Sequence, residues 1–255
     1  MSSSFQPVRC VAVLAGVLAI ASGCSHPMVV KNIDAYRVED GRVSPTRKSI
    51  GVVSPTLSTD DQLIVNGVVD GLRKYSDDVV MPYRKETDPK VDVIATVDLQ
   101  SQYEGSVANF LISWPGFLVW APAWNGYVYN IKHDFSVYLE DVQSEGVMDS
   151  FDVPVNLDIR HAAMNRTWVA ETGGWLLPGL SAVALVGGII HTGYDQNVTP
   201  IAAKEVAAPV GDFVAQEIVR RIAQESERDE TAKNEIVNPE LEEASTYSSV
   251  HTFNK

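Results

Sequence analysis

Tyr127-Val128-Tyr129-Asn130-Ile131-Lys132-His133-Asp134-Phe135-Ser136-Val137-Tyr138-Leu139 is the stretch that decides the fold class. Tyr127, Tyr129, Ile131, His133, Phe135, Val137 and Leu139 alternate with Asn130, Lys132, Asp134 and Ser136, and Glu140 continues the polar set. Successive side chains of a strand point to opposite faces, so this period of two predicts a strand with one dry and one wet face, typical of antiparallel pairing. Two neighbouring stretches read the same way. Val91, Val93, Ala95, Val97 and Leu99 alternate with Asp92, Thr96 and Asp98, while Val147, Phe151, Val153, Val155, Leu157 and Ile159 oppose Ser150, Asp152, Asn156, Asp158 and Arg160. Ser144-Glu145-Gly146 supplies the turn that makes the last two strands a hairpin. Pro154 cannot donate to a ladder, which places its strand at an edge or a bulge.

Outward from these strands the pattern changes period. Ser49 to Ser54 reads as a short strand, and Ser58 with Asp61 three residues on forms a capping-box pattern. Ile64, Val65, Val68, Val69 and Leu72 then recur at helical spacing, which predicts a helix ending near Tyr75. Gly67 and Gly71 share one of its faces and allow close packing on a sheet. Val206, Val210, Phe213, Val214, Ile218 and Ile222 mark a final amphipathic helix. The expected domain is α+β, spanning residues 48–224, with an antiparallel sheet of about four strands and two helices on one face. This element order resembles that of the small domains of periplasmic lipoproteins of the curli-secretion and penicillin-binding-protein-activator type.

The amino terminus carries an address. Arg9 precedes the apolar run Val11–Ile20, and Ala21-Ser22-Gly23 leads into Cys24. That run is too short to cross a bilayer, which takes roughly 20 apolar residues, and it has the order of a secretory signal. The stretch ending at Cys24 resembles the lipobox of a bacterial lipoprotein precursor, with Ala21 where leucine is usual. The resemblance implies that residues 1–23 are removed, that Cys24 becomes the lipid-attachment residue, and that Ser25 after it directs the protein to the outer membrane, facing the periplasm. Residues 24–47, mixed and without period, read as a lipidated cysteine and a tether.

Composition removes several classes of function. The only cysteines are Cys10, inside the signal, and Cys24, so the mature domain has no disulfide framework, cysteine metal site or cysteine nucleophile. The chain carries a net charge of −13, and loss of residues 1–23 with their one charge, Arg9, takes it to −14. Such a chain gains nothing from counterion release and is repelled by anionic lipid, so nucleic acid is excluded as a partner. Residues 225–255 are acidic and poor in large apolar side chains, and read as a mostly disordered tail.

Two uncharged stretches interrupt the domain on either side of the hairpin. Segment 107–126 contains Trp114, Phe117, Trp120 and Trp124, and segment 173–191 begins near Trp175 and is broken by Pro178-Gly179. They pack in the core, or they form an exposed patch at one end of the sheet for membrane or partner. No catalytic motif, phosphate loop or paired metal-ligand spacing accompanies them, and no cofactor is expected. His133 and His161 continue the apolar faces of neighbouring strands, where each reads as a sheet-edge histidine and a cross-strand contact between them is open. The expected protein is a non-enzymatic, lipid-anchored envelope lipoprotein. It would meet the membrane through Cys24 and an envelope protein or lipid through Trp114, Phe117, Trp120, Trp124 and Trp175. The alternative is a membrane-inserting or channel-forming oligomer of the same chain.

Overall fold

The computed structural model describes residues 25–37, 43–56, 58–113, 125–163 and 189–237. One sheet dominates it, built from β1 (His26–Val30), β2 (Ile50–Val53), β3 (Val79–Val80), β4 (Val93–Gly105), β5 (Tyr127–Asp141) and β6 (Gly146–Ala162). Across the sheet the order is β1-β6-β5-β4-β2-β3. The helices are α1 (Thr59–Leu72), the short α2 (Ala108–Ser113) and the long α3 (Thr199–Val237).

The three long strands form where their period of two requires. On β5, Tyr127, Tyr129, Ile131, Phe135, Val137 and Leu139 are buried, while Asn130, Lys132, Asp134 and Ser136 are exposed. β5 pairs antiparallel with β4 over Tyr129–Asp141 and with β6 over its whole length. The dry face is closed by α1 and α3, and Ile64, Val65, Val68, Val210, Val214 and Ile218 join the strand residues in one core. Ser58 caps α1 as its pattern implies, its Oγ accepting from the Asp61 amide at 3.5 Å. Pro154 faces Asp134 in a part of β6 that β1 does not reach, so the missing N–H disturbs no ladder.

The structure revises the expected sheet in two respects. It has six strands rather than about four. It is mixed, since β2 runs parallel to both β3 and β4. A parallel pair needs a crossover, and α1 supplies it, which makes β2 with its two parallel neighbours, β3 and β4, the one parallel part of an otherwise antiparallel sheet. Two elements were also misplaced. Gly67 and Gly71 pack on α3 rather than on the sheet: a Cβ at Gly67 would stand 2.1 Å from the Ala207 carbonyl oxygen, and one at Gly71 would stand 2.8 Å from the Ala215 Cβ. Helix α3 continues to Val237, through the first thirteen residues read as a disordered tail, while residues 238–255 lie outside the described residues.

The correction with most consequence is at the amino terminus. Residues 26–36 are not tether but part of the fold. β1 pairs antiparallel with the end of β6, His26 facing Ala162 and Val30 facing Ile159. Beyond β1 the chain keeps covering the β6 edge with side chains: Asn32 Nδ2 donates to the Asn156 carbonyl at 2.6 Å, and its Oδ1 accepts from the Asp158 amide at 3.0 Å. The Tyr36 hydroxyl accepts from the Asn156 amide at 2.9 Å. With the Tyr36 hydroxyl also donating to the Asn156 carbonyl, an edge that would otherwise expose free backbone groups is closed by four side-chain bonds.

Candidate functional site: the near end of the sheet

Antiparallel pairing dictates which chain segments meet at each end of this sheet. β1 and β5 both start where β6 stops, and β4 stops where β5 starts, because His26 faces Ala162, Tyr127 faces His161 and Gly105 faces Tyr129. At this near end, therefore, lie the residue after Cys24, both flanks of the first apolar segment, the end of β6 and, through the contact of Thr192 with Gly105, the exit of the second segment.

These flanks are in contact. Gly126, which returns the chain from the first segment into β5, has φ +62°, a conformation that disfavours any side chain, and the His26 ring packs where a Cβ would be. The start of β1 and the end of the first segment thus touch. Gly105, at the end of β4, receives the exit of the second segment: a Cβ there would stand 2.1 Å from the Thr192 carbonyl oxygen. His191 lies against the Tyr127 ring at 5.5 Å between centroids, and Tyr194 lies against both Tyr103 and Tyr129. On the other side, Asn109 is fully buried and clasps the Val128 backbone, Oδ1 accepting from its amide at 2.7 Å and Nδ2 donating to its carbonyl at 2.9 Å. That clasp fixes α2 on β5 and turns the opposite face of α2 outward.

The outward face is apolar. Val107 is 82% exposed and Leu111 69%, and Ile189 and Ile190, from the second segment, are 56% and 66% exposed. Among the described residues only one other large apolar side chain is more than half exposed, Val147 at the far end. Concentration of this kind marks a contact surface, whereas single scattered residues mean little. The residues expected to form that surface, Trp114, Phe117, Trp120, Trp124 and Trp175, lie outside the described residues, as does Cys24. The structure brings together the ends of the segments that carry them. Their neighbours Val107, Leu111, Ile189 and Ile190 were not singled out from the sequence, although two of them follow directly from the uncharged run that ends at His191.

A second polar group lies deeper on the dry face. Ser101 Oγ donates to Asp61 Oδ1 at 2.5 Å and lies 2.8 Å from His133 Nδ1, and the Tyr103 hydroxyl donates to the same Asp61 oxygen at 3.3 Å. A hydroxyl has one proton, and the carboxylate takes it, so the His133 Nδ1 proton donates to Ser101. With the hydroxyl between acid and imidazole, His133 does not draw a proton from Ser101. The group ties the first turn of α1 to β4 and β5. Contrary to expectation, His133 sits inside the sheet, on its central strand, and His161 faces Tyr127, six positions along β5 from His133, so no cross-strand pair forms. Among the described residues no cluster of three or more metal-ligating side chains occurs.

Burial pushes His133 down to about 4 from 6.5, against the opposing pull of Asp61 and Asp134. Burial also pushes the Tyr103 phenol up. The folded-state value of His133 is depressed, so the unfolded chain takes up its proton first as the pH falls. Stability contributed by neutral His133 is complete above its unfolded value and is lost progressively down to its folded value, by up to about 3 kcal/mol. The expected observation is a histidine Cε1 proton resonance that stays at its neutral position down to about pH 5. Titration of all histidines near their ordinary value would show that the buried network does not persist in solution.

No protein-family model matches this chain, and no curated protein matches it. Among solved structures it is similar to a Xanthomonas campestris protein of family DUF330, with 10% identity and a TM-score of 0.42, over 75% of this chain and 94% of that one. It is also similar to a variant of the PelC dodecamer from Paraburkholderia phytofirmans, at 13% identity and TM-score 0.25 over 72% and 98% of the two chains. A Caulobacter crescentus chain described as a candidate lipoprotein matches at 9% identity and TM-score 0.22, over 66% and 91%. At these scores the likenesses decide neither fold nor function.

Proposed function

We propose that this chain is a non-enzymatic, lipid-anchored accessory protein of a bacterial envelope, held at the outer membrane by Cys24 and facing the periplasm, whose near end is its contact surface. One observation carries the proposal. The strand that begins two residues after Cys24 is built into the same end of the sheet where the chain leaves β4 and re-enters β5 around the first uncharged, tryptophan-bearing segment, where β6 ends, and where residues 189–194 return from the second. Anchor and apolar surface therefore face the same way. The polar group at Asp61, Ser101 and His133 supports a structural rather than a catalytic role, because its hydroxyl occupies the middle position. Among the described residues no helix is long and apolar enough to cross a membrane.

The test is the intact mass of the protein purified from the envelope of the cell that makes it. A chain starting at residue 24 and heavier than its polypeptide by the mass of its acyl groups is expected. A chain retaining residues 1–23, or one starting at Cys24 with no added mass, would sink the anchored reading.

A further inference from the structure

We infer that the occupant of the near-end apolar surface is the phospholipid of the membrane that holds Cys24, contacted directly by Val107, Leu111, Ile189 and Ile190. The inference rests on the anchored reading and names the partner of its contact surface.

The length of chain between anchor and fold makes the argument. His26 is already paired with Ala162 in the sheet. Only the two peptide units from Cys24 to His26 separate the lipidated residue from rigid structure, and fully extended they reach about 7 Å. With residues 25–46 as a free tether the domain could have stood well clear of the bilayer. Without it the near end is held against the headgroups. A protein partner covering the four apolar side chains would have to enter that gap, yet a single helix with its side chains is about 10 Å across. Lipid needs no room to enter, since it is already there.

The side chains suit that surroundings. Leu111 lies on the outward face of α2 and Val107 directly precedes that helix, whose inner face is fixed by the Asn109 clasp on Val128. Ile189 and Ile190 precede the turn in which the Thr192 amide donates to the Ile189 carbonyl at 3.1 Å, and that turn is seated on Gly105. Both pairs stand on supported backbone and carry no charge. The acidic character of the chain makes an electrostatic attraction to anionic lipid the wrong mechanism, so the contact is apolar and does not require anionic headgroups.

Single cysteines test this in the lipidated protein, where the lipid occupies the only native thiol of the mature chain. Val107→Cys, Ile190→Cys and, at the far end of the sheet, Val147→Cys replace exposed residues, so none of them disturbs the core. Each is labelled with an environment-sensitive dye and reconstituted by its own acyl chains into zwitterionic phospholipid vesicles, after its mass has been measured. The expected result is emission shifted to shorter wavelength, and quenched by lipid-borne quenchers, at positions 107 and 190, with neither effect at 147. Water-like emission at all three positions in a protein whose mass includes the lipid would overturn the lipid contact and leave the anchor standing. Shifted emission at 107 and 190 that lipid-borne quenchers do not reach would also overturn it, by showing that protein covers the surface. A mass without lipid would overturn the anchored reading and this inference with it.

Discussion

Gly67→Ala is expected to destabilise the protein by about 2 kcal/mol even though alanine is the better helix former. The two effects oppose each other and magnitudes decide between them. In an open helix the exchange gains about 1 kcal/mol of propensity. Here the added Cβ would stand 2.1 Å from the Ala207 carbonyl oxygen and 2.7 Å from its carbon, and both are backbone atoms that no rotamer change can move. On the facing helix Gly211 is equally confined, with a Cβ there 2.2 Å from the Gly67 carbonyl carbon. The helices can accept the methyl group only by moving apart, which opens the contacts of Ile64, Val65 and Val68 beneath α3. Overpacking of this kind costs about 1–3 kcal/mol and sometimes more, so the loss outweighs the gain. The comparison is Gly146→Ala, where the nearest atom is a Ser144 side-chain oxygen at 3.3 Å that can rotate away. Its effect is expected within about 0.5 kcal/mol. Urea unfolding of the two variants measures both, and a Gly67→Ala protein as stable as the parent would mean that α1 and α3 do not pack this closely.

Those glycines also show where sequence reading reaches and where it stops. Their spacing placed both on one face and implied a close approach, but a local pattern does not say what approaches, and the partner is α3 rather than the sheet. Strands β4, β5 and β6 were legible because each alternates over many residues, and the cores of α1 and α3 because each repeats at helical spacing. β3 has two residues and no pattern to read. β1 has five, with Pro27 among them, and what holds it and its continuation is long-range: Asn32 and Tyr36 bond to β6 more than a hundred residues away. The tail was misread for another reason. Residues 225–237 lack an apolar stripe, but glutamate, arginine, lysine and alanine all favour helix, and the Arg228–Glu225 pair adds local support to a helix already started on the core. The site follows the same division. That the described flanks of the two uncharged segments, Gly105, Gly126 and His191, meet at one end of the sheet was readable from their positions around the hairpin. That His26 joins them was not, because it depends on β1, and β1 depends on the far edge of β6.

The second large effect is in where the domain sits. If residues 25–46 were a free tether, their extended reach would be about 70 Å, and even a relaxed chain would leave a hydrated layer between bilayer and domain. With β1 starting at His26 the allowed separation falls to about 7 Å. If Cys24 carries lipid as proposed, the near end, with Val107, Leu111, Ile189 and Ile190, is expected to rest on the headgroups, with the Gln143–Gly146 turn and Val147 at the opposite end of the sheet. Neutron reflectometry of the lipidated protein on a supported bilayer reads this separation directly. The account predicts protein density continuous with the headgroup layer, with no water layer thicker than about 7 Å. A water layer of more than about 20 Å between headgroups and protein would contradict it, because no folded β1 could allow such a distance.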